Sequence, residues 1–132
     1  MNRIYKFRAW SDKKMWDVRE LEWLEGELNA YIGLHWVKKE EYELMQFTGL
    51  KDKNGVEIWE GDIVYYESVK KHPRKCAIEY VPEAGAFLLV EKGSTAQNVF
   101  IKYLGDIVHD GSDTRTYHLC EVIGNIWENE TK

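Results

Sequence analysis

The chain has 132 residues, 44% apolar and 31% charged, with 18 basic and 23 acidic side chains leaving a formal charge of −5. That balance belongs to ordinary globular proteins and excludes disordered and fibrous classes. The acidic excess weighs against a general nucleic-acid binder, which gains affinity by neutralising phosphates. No stretch approaches the roughly 20 apolar residues of a membrane-spanning helix, and the N-terminus has no apolar leader-like run. The expectation is a single soluble, cytoplasmic domain with no membrane partner.

From Arg3 to Trp10 the side chains alternate, Tyr5, Phe7 and Ala9 on one side and Ile4, Lys6 and Arg8 on the other, the period of a half-buried strand. Ser11-Asp12-Lys13-Lys14 reads as a turn and Met15 to Val18 as the returning strand of a hairpin. Glu20 to Trp23 is ambiguous, because Leu21 and Leu24 are three apart, as in a short helix, while Gly26 and Gly33 interrupt such a helix. It is read as irregular, followed by a strand-like, aromatic-rich Leu28 to Val37.

The clearest hairpin turns at Asp52-Lys53-Asn54-Gly55. Asp first and Gly fourth suit a type I turn closed by a left-handed glycine, which sets Asp52 opposite Val56. A two-residue Asn-Gly loop would instead oppose Asp52 and Glu57, two like charges.

Beyond it, Gly61-Asp62 is a corner, Ile63 to Glu67 and Cys76 to Val81 are strands, and Pro73 keeps the intervening polar link out of a sheet interior. Pro82-Glu83-Ala84-Gly85 turns the chain into a strand from Phe87 to Glu91. Ser94 to Tyr103 fits a capped short helix, yet Val99, Ile101 and Tyr103 also alternate, and both readings stay open. Cys120 to Trp127 is strand-like around Gly124. Turn signals about every ten residues between short β-branched and aromatic runs predict a mainly β barrel or sandwich with at most one or two short helices. Trp59 to Val64 and Tyr103 to Val108 share the pattern aromatic, any, Gly, Asp, Ile, Val, which two copies are too few to make a repeat array.

The common hydrolase, nucleotide-phosphate and zinc signatures are absent from the sequence. The nearest metal arrangement, His118 and Cys120 with His109 and Asp110 or Asp113, matches no established ligand spacing. No cofactor, no small-molecule substrate and no enzymatic activity are expected. Cys76 and Cys120 are expected as buried free thiols.

Two features point to partners. Six tryptophans and eight tyrosines are more aromatic surface than one small core readily hides, and aromatic residues concentrate at interfaces. Trp10, Trp16, Trp23 and Trp36 fall in the first 40 residues and mark a self-association surface, so the chain is expected to be a homo-oligomer. Lys70, Lys71, Arg74 and Lys75 follow Tyr65 and Tyr66 and form the alternative, a local nucleic-acid contact built from cations and aromatic rings.

Phe7-Arg8-Ala9-Trp10 with Lys14-Met15, the long run from Leu44 through Asp52-Lys53-Asn54-Gly55 to Val64, and Val122-Ile123-Gly124-Asn125-Ile126-Trp127-Glu128-Asn129 form three blocks. Together they resemble the YopX family of phage and prophage proteins. The resemblance spans nearly the whole chain. It implies one small, mainly β domain, with residues 1–40 as a hairpin arm and residues 41–132 as an SH3-like barrel. It further implies a protein encoded by temperate phages and present in the bacterial cytoplasm, but supplies no function; the aromatic excess, the acidic balance and the missing catalytic motifs give the expected partner as a second copy, a phage protein or a host protein. It carries over no catalytic residue.

Overall fold

A computed structural model describes residues 4–67, 73–92, 99–103, 116–117 and 120–128. The backbone divides into two compact units, residues 1–47 and residues 48–132. Both are built of β-strands, and the described residues contain a single 3-10 turn (Lys39–Glu41) as their only helical element. No helix among them is long and apolar enough to cross a membrane.

The first unit holds β1 (Phe7–Ser11), β2 (Lys14–Leu24), β3 (Glu27–Ile32), β4 (His35–Val37) and the start of β5 (Glu43–Asp52). The hydrogen-bonded order is β4-β3-β2-β1-β5, every pair antiparallel. The expected N-terminal hairpin is present, from Arg8 opposite Asp17 to Ser11 opposite Lys14. Asp12 and Lys13 both have positive φ, 51° and 62°, as a two-residue type I′ loop requires.

Glu20 to Trp23 is not irregular. It continues β2 as far as Leu24, and Glu25 and Gly26, again both at positive φ, turn it into β3. The spacing misled because Leu21 and Leu24 lie on opposite faces of a strand, Leu21 opposite Ala30 and Leu24 exposed at the hairpin end; β2 also carries a bulge, where Val18 pairs with Ile32 but Glu20 with Tyr31, which inserts Arg19 as an extra residue. The alternation resets there, so Trp16 and Val18 share a face with Leu21 and Trp23. The three-residue step from Val18 to Leu21 looks helical in sequence and is a bulged strand in space. On that face Ala9, Ala30, Ile32 and Val37 are buried, with Trp16, Val18, Leu21 and Tyr42 packed against them.

In the second unit the end of β5 pairs with β6 (Glu57–Trp59) and, in parallel, with the two-residue β11 (Thr116–Tyr117). The remaining strands are β7 (Asp62–Glu67), β8 (Pro73–Val81), β9 (Ala86–Lys92), β10 (Val99–Tyr103) and β12 (Cys120–Asn125), in the order β10-β9-β8-β7-β12. Val99–Tyr103 is therefore strand, as its alternation suggested; Ser94 and the second Gly-Asp corner at residues 105–106 lie outside the described residues.

The two sheets are not closed into a barrel. Among the described residues no ladder joins β10 to β12, so the five-stranded sheet keeps two edges, and the SH3-like closure expected from the resemblance is not seen. The C-terminal strand is held elsewhere. It pairs with β7, with an extra residue between Val122 and Gly124, and it is tied to the β5–β6 turn.

That turn is built as the sequence specifies. Asp52 N–H donates to the Val56 carbonyl at 2.8 Å, Gly55 N–H donates to the Asp52 carbonyl at 3.0 Å, and Gly55 has φ of 80°. Asp52 Oδ1 accepts from Asn54 N–H (2.8 Å) and Val56 N–H (2.9 Å), while Oδ2 accepts from Val122 N–H at 2.8 Å. Ile58, Val64, Cys76, Ile78, Leu89 and Cys120 form the apolar core beside it. Each large aliphatic residue there contributes about 1.5–3 kcal/mol by leaving water.

Candidate interaction surface

The four N-terminal tryptophans do not form one cluster. Trp16 belongs to the core of the first unit: its Nε1–H donates to the Ser11 carbonyl at 2.9 Å, and its ring lies against Gly33, where a Cβ would approach Cζ3 to 2.9 Å. Trp10 is half-buried on β1. Trp36 is 43% exposed and stacks at a tilt on Tyr31, ring centroids 5.2 Å apart, on the sheet face opposite Trp16. Trp23 is 72% exposed near the tip of the β2–β3 hairpin. The predicted set thus separates into a core residue, a half-buried one and two exposed ones on opposite faces.

The hairpin tip makes the more distinctive surface. Among the described residues β1 pairs with β2 only as far as Asp17, and β4 meets β3 only from Ala30 onward. The ribbon from Glu20–Leu24 to Glu27–Asn29 therefore stands two strands wide, an arrangement that is marginal in water without further contacts. Tyr42 gives it one, its Oη–H donating to the Leu28 carbonyl at 2.7 Å, and burial raises the Tyr42 pKa. Beneath the ribbon lies a cleft of about 440 Å³ lined by Trp23, Leu28, Tyr42 and Leu44 among others. Glu27 and Glu43 at its rim are exposed and acidic, with Lys39 as the counter-charge.

Sequence reasoning missed Leu28, Tyr42 and Leu44 as partners of Trp23. A readable signal did exist, the run of Glu20, Glu22, Glu25 and Glu27 interleaved with Leu21, Trp23 and Leu24, which alternates like a strand with one acidic face once the bulge is allowed.

The basic stretch gains little definition. Lys70 and Lys71 lie outside the described residues; Arg74 is on β8 without a described side chain, and Lys75 is exposed opposite Tyr65. Of the metal candidates only Cys120 is described, and among the described residues no group of three or more His, Cys, Asp or Glu side chains is placed to hold a metal. Neither Cys76 nor Cys120 is in a disulfide, and both are buried. Burial first, then the nearby Asp52 carboxylate, pushes the Cys120 thiol up to about 12, so it stays protonated at neutral pH.

The sequence profile of the YopX protein family matches residues 6–131. The chain belongs to the YopX family. Among solved structures, protein yopX from Bacillus subtilis shares the fold, with a TM-score of 0.59 and 18% identity over 95% of this chain and 94% of that one. Protein EF1440 from Enterococcus faecalis is 28% identical, over 98% of this chain and 97% of that one, with a TM-score of 0.47. No curated protein matches the chain. The blocks that carry the YopX resemblance are joined physically. Phe7–Trp10 of the first pairs with Glu43–Gln46, and the second meets the third where Asn125 opposes Asp62 and Ile126 N–H donates to the Gly61 carbonyl at 2.9 Å.

Proposed function

We propose that this YopX-family chain is a non-enzymatic interaction module that self-associates through its first unit, in the cytoplasm of a bacterium carrying the phage or prophage that encodes it. One observation carries the reading. Of the ten large apolar residues exposed among those described, six (Ile4, Tyr5, Trp23, Leu24, Leu34 and Trp36) belong to the first 47 residues. The two most exposed of the ten, Leu34 and Trp23, are among them, and large apolar side chains left in water point to a surface that a partner covers. Leu34, 85% exposed at the β3–β4 turn, and Trp23 each keep an apolar side chain in water that a partner would cover.

Light scattering across a hundredfold concentration range tests self-association: the weight-average mass is expected to rise above one chain. Titration with single- and double-stranded DNA and RNA at two salt concentrations tests the nucleic-acid alternative. Tight, salt-steep binding that disappears when Lys70, Lys71, Arg74 and Lys75 are changed to Ala, by a protein that stays at one-chain mass, would replace the proposed reading.

A further inference from the structure

The first unit carries two complementary surfaces. Residues 20–27 and 40–43 place seven exposed glutamates around the hairpin and its cleft, against Arg19, Lys38 and Lys39. The cleft floor is apolar and partly aromatic, and its volume lies in the range of sites that enclose a bound group, roughly 300–1,000 Å³. Its preferred occupant is therefore a large apolar side chain next to a cation. The same chain presents such a segment: Ile4 is 58% exposed, Tyr5 is 65% exposed, and the exposed Lys6 follows them. Exposure of this degree means that the segment does not lie in the cleft of its own chain.

We propose that the cleft lined by Trp23, Leu28, Tyr42 and Leu44 receives Ile4 and Tyr5 of a second copy of this chain, with that copy's Lys6 set against Glu27 and Glu43. The inference rests on the self-association reading and names its two faces. Lys6 Nζ lies 5.0 Å from the centre of its own Phe47 ring, a contact that the exposed lysine exchanges for the carboxylates on docking, and Ile4 and Tyr5 beside it are exposed. Tyr5 brings an apolar ring to an aromatic wall and a hydroxyl to a polar rim, the amphipathic combination favoured at interfaces. Seating each segment in the other chain's cleft gives two equivalent contacts, which closes a two-fold pair and leaves neither surface open to further growth. Charge complementarity between the acidic hairpin and the basic segment favours this register over one that places two hairpins together.

Sedimentation velocity on the full chain tests it with two variants. A segment variant carries Ile4→Asp and Tyr5→Ser; a cleft variant carries Glu27→Lys and Glu43→Lys, exposed positions where folding is insensitive. Each alone is expected to dimerise at least tenfold more weakly than the wild type, at unchanged circular dichroism. An equimolar mixture is expected to recover dimer, since the mixed pair retains one intact segment–cleft contact. If the wild type dimerises and the variants do so equally well, or if the mixture recovers nothing, the pairing is wrong while self-association stands. A wild type that remains one chain at 100 micromolar overturns both, and one that instead takes up a synthetic basic–apolar peptide assigns the cleft to another partner.

Discussion

The Asp52 carboxylate is fully buried and accepts three backbone N–H groups, two from its own turn and one from Val122, seventy residues away. Removing it strands three donors at once, so Asp52→Ala is expected to cost about 3–5 kcal/mol in urea unfolding. Gly55→Val acts through the backbone instead. A Cβ there meets nothing within 4 Å, so the expected loss of about 1–2 kcal/mol is the strain of a β-branched residue at φ of 80°. Cys120 supplies a pH signature. Its thiol is held up to about 12 against an ordinary 9.0, by burial and then by Asp52, so the folded chain keeps a proton that the unfolded chain releases. The stabilisation is complete below pH 9 and declines by about 1.4 kcal/mol per pH unit as pH rises toward 12. Cys120→Ala is expected to remove that part of the alkaline slope, read from unfolding curves of both proteins between pH 8 and 11; the contribution of Tyr42, common to both, cancels.

At the scale of elements, β2 depends on which face each side chain takes. Arg19 is the extra residue, so deleting it joins Val18 to Glu20 in a regular ladder and leaves Val18 opposite Ile32 and Leu21 opposite Ala30, on the face that packs on the core. Leu21→Glu, which carries a charge onto that face, is expected to cost about 2 kcal/mol or more, whereas the Arg19 deletion, which keeps every apolar side chain on its face, should cost within about 1 kcal/mol. Thermal unfolding of both variants checks the difference. The same element shows where sequence legibility ended. The Asp52–Gly55 turn was readable because its side chains dictate its own hydrogen bonds. Residues 20–24 were not, because the three-residue step from Leu21 to Leu24 has helical spacing while in the strand the two side chains leave on opposite faces, and the bulge before them is fixed by the partner strand. The barrel failed for a related reason: whether a sheet closes depends on where Cys120–Asn125 docks, a contact some seventy residues long that local pattern cannot express. The tryptophan-rich N-terminus was legible as a count, but not the faces onto which the strands distribute those rings.

At the scale of the whole molecule, membership of the YopX family fixes kinship, and the surfaces supply the reading of function. Among the described residues the second unit has an apolar core beside the Asp52 and Asp62 carboxylates, which bind backbone N–H groups, while the first leaves Trp23 and Leu24 in water on a two-stranded ribbon. A ribbon of that width exchanges its amide hydrogens readily unless something covers it. Hydrogen exchange followed by mass spectrometry at low and high protein concentration therefore tests the central claim most directly. Peptides covering residues 4–6 and 19–28 are expected to exchange severalfold more slowly at high concentration, while those covering Ile58 to Val64 stay unchanged. Equal exchange of residues 19–28 at both concentrations, or protection confined to the second unit, would contradict the assignment of self-association to the hairpin.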